Sequence, residues 1–303
     1  MLYRNPVWSR DFPDPFLLAH NGVFYAYATE TAGKPGFQAL RSRDLVHWED
    51  CGVVFRPGWA DKHFWAPEVQ FQNGVFHLTY SALNGQTGRH DIGLAIGKSP
   101  LGPFRHQTVL VRAGDREHGV IDATIFAQNG RTFLVYCVEN PRRIVMRRLA
   151  PNGLSVDGPP VDLIRPDQSW EHGVVEAPTL LWRESRYHLF YSAGPYEGNK
   201  DGPSYCIAHA LSRRLEGPYE KTGRVAVSRS GQVYGPGHQS FLTLPSGETW
   251  LAYHAWDAVG QPRYGANPSG RTLRLDRINW GGRRGDIPVL EGPSTAPIPA
   301  PKV

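Results

Sequence analysis

Three carboxylates sit in short apolar runs of the sequence: Asp14 in DFPDPF, Asp122 in VIDATIF and Glu176 in VVEAPTL. Spacing ties them together. Glu176 precedes Ala193 by 17 residues, Trp65 precedes Ala82 by 17, and His238 precedes Ala255 by 17. The same 17 residues counted back from Glu139 reach Asp122, and in a shorter first unit the matching residue is Asp14. Three neighbouring carboxylates cannot all ionise freely, so their pKa values separate. That separation gives one acid and one base at a single pH. Paired carboxylates across a sugar ring are the usual means of glycoside hydrolysis, ~6.5–9.5 Å apart for inversion and ~5–5.5 Å for retention.

The elements that must hold these residues follow from the turns. Alternating apolar runs recur at 22–29, 74–82, 131–138, 186–194 and 249–256. Asn21-Gly22, Asn73-Gly74 and Asn129-Gly130 precede the first three, and Ser246-Gly247 the fifth. Asn-Gly accepts the positive φ angles of a tight hairpin turn, so each run reads as the second strand of a hairpin. Further strand runs follow each hairpin, giving five units of about 60 residues with about four strands each. Four strands per unit is the pattern of a propeller blade. The sequence therefore predicts an all-β chain: one five-bladed β-propeller domain over 1–303, with four-stranded blades around a central channel and no accessory domain. The blades fall near 10–57, 62–112, 118–165, 172–229 and 233–290. In such a fold the residues at the entry of each innermost strand meet at one mouth of the channel.

These runs, with FWAPEV, GPGHQSF and RTLRLDRINW, resemble glycoside hydrolase family 43, the arabinanase, α-L-arabinofuranosidase and β-xylosidase group. The resemblance spans essentially the whole chain, one motif per repeat, and implies the same five-bladed fold. It also implies an inverting mechanism with Asp14 as general base, Glu176 as general acid, and Asp122 tuning and orienting that acid. By the same likeness Trp65 is an apolar wall for the sugar, and Arg271 lies near the acid–base cluster. Phe24 and Phe37 are candidate sugar platforms. His238 matches a histidine near a central calcium ion, bound directly or through water. No cofactor is required for the chemistry.

Plainer readings compete. Asp between two prolines also braces turns, Asp122 could pair with an arginine, and a lone His is usually a satisfied polar group. One register across five units argues against all three. Trp48, Trp182 and Trp280 read as core.

Composition narrows the rest. With 33 Gly, 26 Pro and 12% aromatic residues, the chain suits short strands and turns better than long helices. The net charge of +5 comes from scattered pairs such as Arg142-Arg143 and Arg283-Arg284, a solvated face rather than a nucleic-acid stripe. Three separated cysteines, Cys51, Cys137 and Cys206, make neither a disulfide framework nor a zinc site. No run reaches the ~20 apolar residues of a membrane span. The first residues lack the apolar core of a signal peptide. The expectation is a cytoplasmic enzyme, unless a leader has been removed, with no membrane or nucleic-acid partner. Its substrates would be small oligosaccharides or polysaccharide. The preferred activity is exo-acting α-L-arabinofuranosidase. Endo-1,5-α-L-arabinanase, β-xylosidase, a fructan-active relative and a non-catalytic carbohydrate-binding propeller are the rivals.

Overall fold

Two short strands open the chain, β1 (Leu2–Tyr3) and β2 (Trp8–Asp11), and both are used only when the far end arrives. In the computed structural model, which describes residues 1–196, 204–227, 233–257, 270–280, 287–290 and 292–303, four-stranded antiparallel meanders then follow one another. The first is β3 (Phe16–His20), β4 (Val23–Ala28), β5 (Phe37–Ser42) and β6 (Glu49–Phe55). The second is β7 (Trp65–Gln72), β8 (Val75–Asn84), β9 (Arg89–Gly97) and β10 (Phe104–Val111). The third is β11 (Gly119–Gln128), β12 (Arg131–Glu139), β13 (Arg143–Leu149) and β14 (Val156–Ile164). A single bridge, Gly119 to His90, joins the second and third sheets. The fourth is β15 (Val175–Arg183), β16 (Arg186–Ala193), β17 (Cys206–Ser212) and β18 (Glu220–Ala226). The fifth takes β19 (Val233–Thr243), β20 (Thr249–Asp257) and β21 (Arg271–Asn279) from the end of the chain.

The fourth place in that last sheet differs from the sequence reading, which drew every strand from residues 233–290. It is filled by β2 from the N-terminus, pairing Trp8 with Leu273 and Asp11 with Thr272. Further along β21 the edge is taken by β22 (Val289–Leu290), and β23 (Ile298–Pro299) pairs with β1. Arg283-Arg284 and parts of the fourth and fifth predicted units lie outside the described residues.

The hairpins form where the turn chemistry placed them. Asn21, Asn73 and Asn129 have φ near 51°, each followed by a glycine at 70–81°. The fourth hairpin turns instead on Glu184 and Ser185, at φ 49° and 61°, with no Asn-Gly to announce it.

Alternation along the strands sends apolar side chains between sheets. One hydrophobic cluster joins each sheet to the next, and a further cluster, with Phe24, Leu40, Trp250 and Leu275, joins the fifth to the first. The first strands touch in the same order: β3 with β7, β7 with β11, β11 with β15, β15 with β19, and β19 with β3. Phe24 and Phe37 belong to this packing. Phe37 is fully buried against Phe55, Phe64 and Tyr80, and Phe24 packs in the cluster between the fifth and first sheets. Neither reaches the cavity described below, so both are core residues and not sugar platforms. Each burial contributes about 1.5–3 kcal/mol. Trp182 departs the other way: it is 45% exposed, where the sequence reading made it core. No helix among the described residues is long and apolar enough to cross a membrane.

Candidate active site

Four of the five first strands begin with a bulge. In β11 the pairing skips from Ile121 to Thr124, in β15 from Glu176 to Thr179, in β7 from Trp65 to Glu68, and in β19 from Gly237 to Ser240. The residue that follows the break in each case has a left-handed backbone: Asp122, Ala177, Ala66 and His238, with Asp14 just before β3. Their φ angles lie between 48° and 58°. That conformation costs a non-glycine residue about 1 kcal/mol or more. Bulges of this kind re-aim side chains near functional sites.

This corrects the sequence register by one residue in two units. Asp14, Asp122 and His238 are true equivalents, but Ala66 and Ala177 share their place. Trp65 and Glu176 stand one residue earlier, on the last paired position before the break. The bulge lets both positions face one space. A cavity of about 210 Å³ is lined by Asp14, Asp122, Glu176, Trp65, His238 and Arg271, the six residues that sequence spacing and motif had singled out beside the two core phenylalanines. A wider cleft of about 910 Å³ opens beside it and shares Thr29, Trp65 and Arg271.

The three carboxylates meet different surroundings. Burial works against a charge on Asp14, but Arg271 Nη1 lies 3.1 Å from its Oδ1 and Thr29 donates to its Oδ2 at 2.5 Å. Its pKa is held well below the ordinary carboxylate range. His254 and His238 also face it, at 3.2 and 3.3 Å. Burial lowers the pKa of both rings, that of His254 to about 4, so they are neutral at pH 7 and the opposing charge is chiefly that of Arg271. The amide of Asp14 donates to His254 Nδ1, which fixes that nitrogen as an acceptor.

Asp122 and Glu176 move the other way. Burial raises both, and for Asp122 the negative neighbours Glu176 and Asp14 raise it further. Arg142 pairs with Glu176 and opposes the rise, as does the Tyr205 hydroxyl, which donates to Glu176 at 2.8 Å. The two carboxyls titrate as a pair, and each takes up a proton more readily than an exposed carboxyl does. The cavity thus favours the ionised form of one carboxyl and the protonated form of the other two, the condition for acid and base catalysis side by side.

Several groups here were not read from the sequence. Arg142 comes from the loop after β12, braced by Glu139, and Tyr205 precedes β17. Tyr196 meets Tyr205 edge-on, and its ring lies under the Arg271 guanidinium. Trp65 was expected; its indole packs against His63 and His90, centroids 4.8 and 4.1 Å away, and the two imidazoles are themselves 3.1 Å apart. His90 continues to Glu139 at 3.1 Å, so a polar chain backs the tryptophan and reaches Arg142.

A calcium ion takes 6–8 oxygen ligands. Among the described residues no three His, Cys, Asp or Glu side chains gather as a ligand set. His238 directs Nδ1 at Asp14, whose oxygens are taken up by Arg271 and Thr29. The protein donors alone do not fit such an ion, and no chemical step is assigned to one.

The family model described as "Glycosyl hydrolases family 43" matches residues 3–283. A crystal structure of a thermostable family-43 glycoside hydrolase superposes with a TM-score of 0.87 at 32% identity, covering 99% of both chains. The extracellular endo-α-(1→5)-L-arabinanase 1 of Bacillus subtilis is 25% identical, over 88% of this chain and 84% of its own length. The extracellular exo-α-(1→5)-L-arabinofuranosidase of Streptomyces avermitilis is 27% identical over 96% of this chain, which spans 64% of that protein. Because the family match runs from the first strands into the fifth sheet, the chain belongs to glycosyl hydrolase family 43 and is an enzyme of the inverting kind general to that family.

Proposed function

We propose that this protein is a five-bladed propeller glycosidase that releases arabinose from the ends of short arabino-oligosaccharides. The ring of contacts among the first strands supports the closed propeller as one domain. The observation that carries the chemistry is the contrast between Asp14, kept ionised by Arg271, and the Asp122–Glu176 pair, kept partly protonated by burial and mutual charge. Asp14 takes a proton from a water that attacks the anomeric carbon. Glu176 gives its proton to the leaving oxygen on the opposite side of the ring. Asp122 holds and tunes Glu176. The anomeric centre inverts in one displacement, and no covalent intermediate forms.

Size supports exo action. A cavity of about 210 Å³ lies below the ~300–1,000 Å³ of sites for drug-sized ligands, so it suits one sugar ring. Trp65 forms an apolar wall, and Arg271 reaches both Asp14 and the sugar. The wider cleft that shares Trp65 and Arg271 favours a second reading, endo-arabinanase, in which further sugars lie along it. The arabinanase and the arabinofuranosidase named above are extracellular by name, which supports a substrate derived from plant polymers met outside the cell. A β-xylosidase is the third reading.

Hydrolysis of 4-nitrophenyl α-L-arabinofuranoside, 4-nitrophenyl β-D-xylopyranoside and linear 1,5-arabinan, with the product anomer followed by NMR, tests the reading. Arabinose release by wild type, lost by about 10²–10⁴-fold in Glu176→Ala and Asp14→Ala on oligosaccharide, is the expected result. Arabinan cleavage to oligomers without arabinose release means the endo reading. Glu176→Ala as active as wild type on oligosaccharide defeats the assigned acid.

A further inference from the structure

The left-handed residues at the heads of the first strands are held by one repeated device, and one sheet departs from it. On the second strand of four sheets, or one residue past it, stands a side-chain acceptor: Thr29, Ser81, Ser192 and His254. Each accepts the amide of the left-handed residue in the following sheet. Ala66 donates to Thr29 Oγ1 at 2.8 Å, Asp122 to Ser81 Oγ at 3.1 Å, His238 to Ser192 Oγ at 2.8 Å and Asp14 to His254 Nδ1 at 3.1 Å.

In the third sheet that place belongs to Cys137, paired with Ile121 and fully buried. Its thiol donates to the Val175 carbonyl at 3.3 Å, and sulfur is a weak acceptor. The amide that an acceptor there would have taken belongs to Ala177. It donates to Asp122 Oδ2 instead, at 3.0 Å. Ala177 is the residue after Glu176, so this bond ties one member of the carboxyl pair to the backbone that carries the other.

We infer that Cys137 is a positioning residue for the acid: by offering no acceptor, it leaves the Ala177 amide to Asp122. The inference rests on the roles proposed above for Asp122 and Glu176. A buried amide donated to Asp122 stabilises its ionised form, which steers the shared proton to Glu176. Arg142, with Glu139 behind it, pulls the proton toward Asp122. Tyr205 donates to Glu176, and Asp14, with Arg271 and His238, faces the pair across the cavity. The Asp122–Ala177 bond offsets the pull of Arg142.

Cys137→Ser restores the acceptor that the other four sheets possess. The Ala177 amide then moves to the new hydroxyl, Asp122 becomes the better proton holder, and less Glu176 is protonated. On an oligosaccharide, whose leaving group needs the acid, kcat/KM falls about tenfold or more on the acidic and neutral side, the worth of one hydrogen bond to a charged group. At high pH the variant converges on wild type, because there Asp122 is ionised in both. A 4-nitrophenyl glycoside, whose leaving group needs little acid, loses far less. Cys137→Ala offers no acceptor and keeps the shape of the wild-type pH profile. Cys137→Ser following Cys137→Ala at every pH, or both substrates falling in parallel, overturns the inference. A crystal structure of Cys137→Ser separates it from the family roles. The Ala177 amide on the introduced hydroxyl upholds the change of partner even if Glu176→Ala proves active, and the amide still on Asp122 refutes it.

Discussion

Removing the guanidinium beside Asp14 gives the sharpest test of the proposed base. In Arg271→Ala the carboxylate keeps its burial and its Thr29 bond but loses its cation at 3.1 Å. A unit charge at that distance in an effective dielectric of ~20 is worth about 5 kcal/mol. At 1.36 kcal/mol per pKa unit this bounds the change near four units, and water entering the vacated space brings it to about 1–3. The direction is fixed: Asp14 must be ionised to take a proton, its pKa rises, and the acidic limb of kcat/KM moves to higher pH. Arg271→Lys retains the charge, so its acidic limb stays near that of wild type even if sugar binding suffers. The assay is kcat/KM against pH on a 4-nitrophenyl glycoside, which leaves the acid step out. An acidic limb in folded Arg271→Ala that coincides with wild type refutes the account of Asp14.

Other perturbations separate the remaining parts. Arg142→Met removes the cation paired with Glu176, so the alkaline limb of kcat/KM on oligosaccharide should move to higher pH; a limb that moves down contradicts the pairing. Gly237→Ala places a methyl group on the Tyr205 ring, which donates to Glu176. Its kcat should drop while Gly247→Ala, at an open turn, changes only stability; equal kcat in both would dissociate Tyr205 from the acid. Phe37→Ala should cost about 3–5 kcal/mol of stability by denaturant titration and leave KM unchanged. A raised KM with unaltered stability would return Phe37 to the sugar site.

Much of this was legible because tight turns and bulges have local chemistry. Asn-Gly pairs located three hairpins, and the spacing to the end of each second strand found the three carboxylates. The same spacing slipped by one at Trp65 and Glu176, since counting residues cannot see where a bulge inserts its extra one. Phe24 and Phe37 were misplaced for a related reason. An aromatic near the start of a strand faces the core or the mouth depending on register alone. Arg142 and Tyr205 arrive from loops with no periodicity to mark them. A signal for the amide relay was present in the repeated Tyr80-Ser81, Tyr136-Cys137, Tyr191-Ser192 and Tyr253-His254, where only Tyr136-Cys137 lacks a good acceptor.

The pairing of β2 with β21 sets the order in which the molecule can be finished. Asp11 and Arg271, bonded through the amide of Arg271, are 260 residues apart. At the ~5–20 residues per second of translation, roughly 13–50 s separate the emergence of the two partners. Through that interval the nascent chain carries an unmated strand whose exposed Arg10 and half-buried Asp11 discourage pairing with a stranger. The Arg271 that completes the sheet is also the cation that ionises Asp14. Assembly and competence therefore coincide: the base, once buried, keeps its charge because the same sheet that captures the first strand delivers its cation.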